Sequence, residues 1–279
     1  MKTTTTTKVE RSHDRDADAL RPVSLQIGVM KFAEGSSLIE LGDTKVLTTA
    51  SAERKVPKFM EDAESGWLTA EYAMLPRATQ TRAAREVTRG RPSGRSAEIQ
   101  RLIGRSLRAV VDLKAMPGFT VTVDCDVLQA DGGTRTASIT AGYVAMVQAL
   151  SHLLLAGDLE RWPVIDALAA VSVGVVDGVS RLDLDYAEDS RAEVDMNLVA
   201  TGSGRLVEIQ GTGETRSFSR EENDALLDLG MSGIRTLLAK QDEVLAAVKR
   251  DIDSVERRGR RRHAAPKSES ELWGKPDAR

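Results

Sequence analysis

The segment that most restricts the fold runs from residue 119 to residue 137. Phe119, Val121, Val123, Cys125 and Val127 alternate with Thr120, Thr122, Asp124 and Asp126. That period of two predicts a half-buried strand. The strand leads straight into Gln129-Ala130-Asp131-Gly132-Gly133-Thr134-Arg135-Thr136-Ala137. Two glycines turn the chain, and a helix follows from about Thr136 to about Leu155. A helix that starts on a glycine turn leaves unpaired N–H groups aimed at one spot. Thr134 adds a hydroxyl there and Arg135 a fork of donors. The segment reads either as a plain turn with an N-cap or as an anion cradle, and the adjacent arginine raises the weight of the second.

The remaining pattern is mixed α and β. Residues 35–50 predict two strands joined at Gly42-Asp43, and 167–176 are small and β-branched like a buried strand. Residues 179–185 follow Asp177-Gly178, a hairpin signal. Residues 194–201 and 205–210 flank Gly202-Ser203-Gly204. In 96–113 Ile99, Leu102, Ile103, Leu107, Val110 and Val111 fall on one helical stripe, with Ser96 as N-cap and Glu98 in the first turn. A third helix starts at Ser219, with Glu222 completing a capping box, and carries apolar residues as far as Val248. The order predicts an α+β fold. Two similar ββα-type halves, about 20–115 and 116–248, place helices on mixed, mainly antiparallel sheets. Residues 20–248 read as a single domain. Residues 1–19, polar and threonine-rich, read as a mostly disordered N-terminal segment. Residues 249–279 read as a basic, disordered C-terminal tail, because 257–262 hold five arginines.

Charge and composition narrow the chemistry. Lysine and arginine number 39 against 42 acids, a net charge of −3, so any nucleic-acid surface must be local. One cysteine, Cys125, excludes an internal disulfide and multi-cysteine metal sites. Three histidines, two of them in or near polar termini, argue against a His-centred site. No apolar run approaches the ~20 residues of a membrane span, and the start lacks an apolar signal core. The expected location is cytoplasmic. No phosphate-binding P-loop, dinucleotide fingerprint or nucleophile elbow occurs.

Two further segments carry charge in a pattern. Residues 77–108 hold nine arginines, Arg77, Arg82, Arg85 and Arg95 among them, against Glu86 and Glu98, and no lysine. Arginine is preferred where phosphate is gripped by a planar pair of donors. Residues 82–95 contain glycines and a proline and read as a loop. The run is either a solvated basic surface or a polyanion site. Residues 181–197 hold Asp183, Asp185, Glu188, Asp189, Glu193 and Asp195. Asp189 and Asp195 flank a turn between two strands and can converge. Two carboxylates plus phosphate oxygens hold Mg²⁺; spacing alone equally fits an exposed acidic hairpin. Together the segments suggest phosphoryl chemistry on a polyanion.

Several runs resemble the ribonuclease PH family of phosphate-dependent 3′→5′ exoribonucleases. They are Arg21-Pro22, Glu34-Gly35-Ser36, residues 42–47, 66–77, 98–103 and 124–137, Glu188-Asp189 and Asp195-Met196-Asn197, in that order over about residues 12–245. The resemblance implies a ribonuclease PH-like catalytic domain and a tRNA nucleotidyltransferase reaction. Inorganic phosphate, as co-substrate, attacks the last phosphodiester of an RNA 3′ end and releases a nucleoside diphosphate; the reverse reaction adds nucleotides. It implies tRNA precursors as substrate, extending to rRNA. It implies that Arg95 and Gly133, Thr134 and Arg135 bind phosphate. It implies that Asp189 and Asp195 match the family's catalytic acids, holding Mg²⁺ or acting as acid/base, and that Arg77, Arg82 and Arg85 guide RNA. It also implies a homohexamer, a trimer of dimers. An inactive RNA-binding ring subunit or a hydrolytic nuclease are the competing readings. The complete set of site residues weighs against the first and the phosphate cradle against the second.

Overall fold

The computed structural model describes residues 11–60 and 64–264. The first sheet contains β1 (Val23–Ile27), β2 (Gly35–Leu41), β3 (Thr44–Glu53), β4 (Trp67–Met74) and β5 (Thr120–Gln129), in the spatial order β1-β2-β3-β5-β4. Its pairings are antiparallel except β4 with β5, which run parallel. Parallel neighbours need a crossover, and helix α1 (Gly94–Arg108) supplies it. The second helix, α2 (Thr134–Ala156), follows β5. The second sheet contains β6 (Leu168–Val176), β7 (Val179–Leu182), β8 (Val194–Thr201) and β9 (Leu206–Gly213), all antiparallel in the order β7-β6-β8-β9. A one-turn helix, α3 (Tyr186–Asp189), joins β7 to β8, and α4 (Arg220–Ala264) closes the described chain.

Helix α2 lies between the sheets. It packs on β2, β3 and β5 from one side and on β6 and α4 from the other. Eighteen of its 23 residues are buried, so it is apolar all round rather than along one stripe. It is the one described helix long and apolar enough to cross a membrane, and the opposing sheets account for that composition. Gly35 of β2 passes so close that a Cβ there would collide with the Ala145 carbonyl oxygen of α2 and lie 2.8 Å from the Ala149 nitrogen.

The expected halves divide elsewhere than the local pattern suggests. Strand β5 lies in the first sheet between β3 and β4 instead of opening the second half, and α2 packs between the two sheets. Periodicity shows that a strand exists, not which strand it joins. Helix α1 starts at Gly94 on an N-cap from Ser93, whose hydroxyl accepts the Ser96 N–H at 3.1 Å. It ends at Arg108, short of the expected 113. Val110 and Val111 fit the helical stripe but pair instead with the chain at 163–165.

Both expected disordered ends are corrected in part. Helix α4 continues to Ala264, because Leu245, Val248, Ile252 and Val255 keep the three-and-four spacing and pack on the core. Residues 11–19 are held against β7 and α3 through Arg11 and Arg15. Residues 1–10 and 265–279 lie outside the described residues.

Gly35→Ala is expected to destabilise the fold by about 1–3 kcal/mol, as overpacking against unyielding backbone does. A lowered urea midpoint at unchanged slope would show it.

Candidate active site

The glycine turn occupies the gap between β5 and α2. Gly132 and Gly133 have φ of 76° and 66°, left-handed values that favour glycine. Gly133 is the N-cap of α2, so the helix starts two residues earlier than expected and Thr134 and Arg135 fall in its first turn. A Cβ on Gly132 would collide with the Leu184 carbonyl oxygen and lie 2.7 Å from the Asp185 carbonyl carbon. The turn therefore needs glycine both for its dihedrals and for the second half of the molecule to close on it.

Its carbonyls are tied down from below. Thr44 donates from its hydroxyl to the Gly132 carbonyl at 2.7 Å and accepts the Asp131 N–H at 2.9 Å. The buried Arg21 guanidinium donates to the carbonyls of Asp131 and Gly132. Arg21 also donates to Asp183 through Nε at 3.0 Å, Nη2 at 2.7 Å and its backbone N–H at 2.8 Å. Burial opposes the Arg21 charge, but the hydrogen bond and charge of Asp183 outweigh it and push the guanidinium pKa up. Burial likewise opposes the Asp183 charge, and Arg21 outweighs it, holding the carboxyl below its usual range. Thr134 shares a 2.9 Å hydrogen bond with the Tyr72 hydroxyl of β4.

A cleft of about 1210 Å³ opens above the turn, lined by both halves. Arg95, in the first turn of α1, reaches it from the first half. Arg135 donates to the Gln210 side-chain oxygen of β9 at 2.8 Å and lies 3.7 Å from Glu98. Opposite stand Asp189, the last residue of α3, and Asp195 on β8. Withdrawal from water raises the Asp189 pKa, with Arg95 and Arg135 pulling against it. Asp195 is pushed up to about 6 by burial and then by the Asp189 charge, again against Arg135 and Arg95. These mutual effects put two cations and two carboxylates around one space.

The structure thus gathers Arg95, Gly133, Thr134, Arg135, Asp189 and Asp195 in one cleft. It does not bring Arg77, Arg82 and Arg85 there. They are exposed on the segment between β4 and α1, and none forms an ion pair among the described residues. The expected turn between strands at Asp189 is α3, capped by Asp185 and Glu188. Asp183, Asp185 and Glu188 are buried in ion pairs, not displayed on a hairpin. Sequence reasoning missed Glu214, whose charge raises the pKa of both aspartates, along with Tyr72 and Gln210. No local signal marks them: Gln210 of β9 and Glu214 just after it line the cleft from far along the chain, and Tyr72 of β4 is buried against Thr134. No group of three or more His, Cys, Asp or Glu is poised for a metal ion among the described residues. Cys125 is buried on β5 and its thiol pKa is pushed up by burial.

The cleft thus sets two arginines and the glycine-capped start of α2 against two carboxylates. Residues 19–150 match the 3′ exoribonuclease family, domain 1, and residues 166–233 match its domain 2. The chain belongs to the 3′ exoribonuclease family. Within it, the chain is 55% identical over 238 residues to ribonuclease PH of Moorella thermoacetica, covering 85% of this chain and 95% of that one. It is a phosphorolytic exoribonuclease of the ribonuclease PH type. Among solved structures, the Archaeoglobus fulgidus exosome with RNA bound to the active site is 26% identical, with a TM-score of 0.69 over 83% of this chain and 92% of that one. Rice Rrp46, 22% identical, shares the fold with a TM-score of 0.68 over 84% of this chain and 100% of that one.

Two outcomes are expected from this geometry. Arg21→Ala strands a buried carboxylate and should cost about 3–5 kcal/mol of stability by chemical denaturation. Because the folded Asp183 pKa is lowered, the pair's contribution is complete above the unfolded carboxylate value of about 3.9 and is lost as pH falls through the folded one. Asp195 should titrate near 6 by carboxyl NMR in metal-free protein. Asp189→Asn removes a like charge and should move that titration down.

Proposed function

We propose that the cleft carries out phosphorolysis of RNA 3′ ends with the residue roles that follow. The juxtaposition of the glycine turn with Asp189 and Asp195 is the observation that carries the reading. Inorganic phosphate docks on the N–H groups at Gly133, Thr134 and Arg135, with the Arg95 and Arg135 guanidiniums neutralising its charge. One phosphate oxygen attacks the phosphorus of the terminal phosphodiester. The bond to the 3′ oxygen of the penultimate nucleotide breaks, and that oxygen takes a proton. A nucleoside 5′-diphosphate leaves, and an RNA one nucleotide shorter remains. Where it holds no cation, Asp195, with its raised pKa, is suited to carry that proton near neutral pH.

The same carboxylates fit Mg²⁺. Asp189 raises the Asp195 pKa, and a divalent cation relieves such crowding. Two carboxylates completed by substrate phosphate oxygens are a ligand set this ion takes. Asp189 and Asp195 would hold it, and when bound it would stabilise charge developing on the reacting phosphoryl group.

The substrate class is tRNA precursors carrying extra 3′ nucleotides, extending to rRNA. Arg77, Arg82 and Arg85, exposed beside the cleft-lining residues Met74 and Thr79 in sequence, suit backbone phosphates rather than bases. With aromatics at only 4%, stacking adds little readout. A homohexameric ring, a trimer of dimers, would bring arginines of neighbouring subunits to one RNA. The likeness to the Archaeoglobus fulgidus exosome supports an assembly of several such chains. A cytoplasmic location fits an RNA-processing role.

The purified protein, incubated with a 3′-extended tRNA and Mg²⁺, should release nucleoside diphosphates only when phosphate is added. Nucleoside monophosphates would overturn the reading. Arg135→Ala and Asp189→Asn should each lower the rate by orders of magnitude, with oligomeric state unchanged by light scattering. Normal rates in both would remove the residue assignment.

A further inference from the structure

The proposed phosphorolysis places Asp189 on a helix of four residues. One helical turn does not hold itself in water. Its capping box, with Asp185 accepting the Glu188 N–H at 2.9 Å, orders the turn but does not fix it to the rest of the molecule. What fixes it is Glu188, the neighbour of Asp189. Its carboxylate is buried among three arginines. Arg181 of β7 donates to it at 2.7 Å. Arg11 donates twice, at 2.8 and 3.2 Å, and Arg15 once, at 3.1 Å.

Arg11 and Arg15 belong to the segment that precedes β1. The same two side chains also donate to backbone carbonyls just before α3, Arg11 to Leu182 at 2.6 Å and Arg15 to Asp183 at 2.7 Å. The segment is further held by the Leu182 N–H donating to the Ala17 carbonyl at 2.8 Å. Four residues beyond Ala17, Arg21 grips the carbonyls of the glycine turn. One stretch of chain therefore holds the carboxylate-bearing turn with its first two arginines and the phosphate cradle with its third. The two parts also touch directly, since the Tyr186 N–H donates to the Asp131 carboxylate at 3.3 Å. An arginine fork is suited to this work, because it can bond a carboxylate and a carbonyl at once in fixed geometry.

We infer that residues 11–21 act as a strap across the site, and that Arg11 and Arg15 are positioning residues that set Asp189 at its working distance from the phosphate cradle. This rests on the role given above to Asp189. Neither arginine touches the cleft, so each acts through Glu188.

The test is a set of double-mutant cycles, read by single-turnover phosphorolysis of a labelled 3′-extended RNA and by RNA binding. Arg11→Ala and Arg15→Ala should each slow the chemical step by on the order of 10–100-fold, as a displaced catalytic group does. RNA affinity and the KM for phosphate should stay as they are. In an Asp189→Asn background the same changes should have no further effect, because the group they position is already disabled. Arg15→Lys, which keeps the charge but not the fork, should recover only part of the rate. Should Arg15→Ala fail to fold, Arg11→Gln carries the same cycle. Full activity in folded Arg11 and Arg15 variants would overturn the strap. So would losses that multiply with that of Asp189→Asn. Full activity in Asp189→Asn alone would instead overturn the role of Asp189, whatever the arginines do.

Discussion

The buried ion pair of Arg21 and Asp183 is the joint on which the site depends. Both side chains are essentially sealed from water, at 0% and 2% exposure. Burying either charge alone would be costly, so each requires the other. Arg21 precedes the first sheet and Asp183 follows β7 of the second. Their pairing links the two halves, and the arginine's remaining donors go to the carbonyls of the glycine turn. The turn is consequently held from behind where it borders the cleft.

Most of the charge in the cleft divides by origin, Glu98 of the first half and Arg191 of the second being the exceptions. The first half brings the cations: Arg95 on α1 and Arg135 at the start of α2. The second half brings Asp189 and Asp195, with Glu214 close by. In the proposed reaction such a site binds inorganic phosphate and an RNA end while holding carboxylates near them. The carboxylates stay raised in spite of the arginines: withdrawal from water is the largest effect on both, and the Asp189 charge adds to it at Asp195. A raised carboxyl is one that can carry a proton or welcome a divalent cation.

Much of this is legible in the chain. The alternation at 119–127 is β5, the Asp177-Gly178 hairpin joins β6 to β7, and the Ser219 capping box starts α4, where Glu222 accepts the Ser219 N–H at 2.8 Å. The glycine turn and the two aspartates stand out by residue type and spacing. The N-terminal arginines do not. In a polar, threonine-rich start they read as solvated charge, and nothing local shows that Asp183, Asp185 and Glu188, far along the chain, fold against them. The end of α4 is hidden for another reason: Ile252 and Val255 extend the apolar spacing, but the arginine run beyond them masks it. The helical stripe also misleads at Val110 and Val111, where β-branched residues serve a strand-like pairing.

The sequence by itself determined the elements and the chemical types at the site. Periodicity, capping residues and glycine placement are local properties, set within a few residues. Tertiary structure alone decided which strand joined which sheet, that α2 would be shared by both, and that Asp189 would face Arg135 across a cleft. It also decided that Arg11 and Arg15 would be buried rather than solvated. Those outcomes turn on pairing and desolvation between residues far apart in the chain. A charge is a surface residue or a structural joint according to what folds against it, and that partner is invisible in its own neighbourhood.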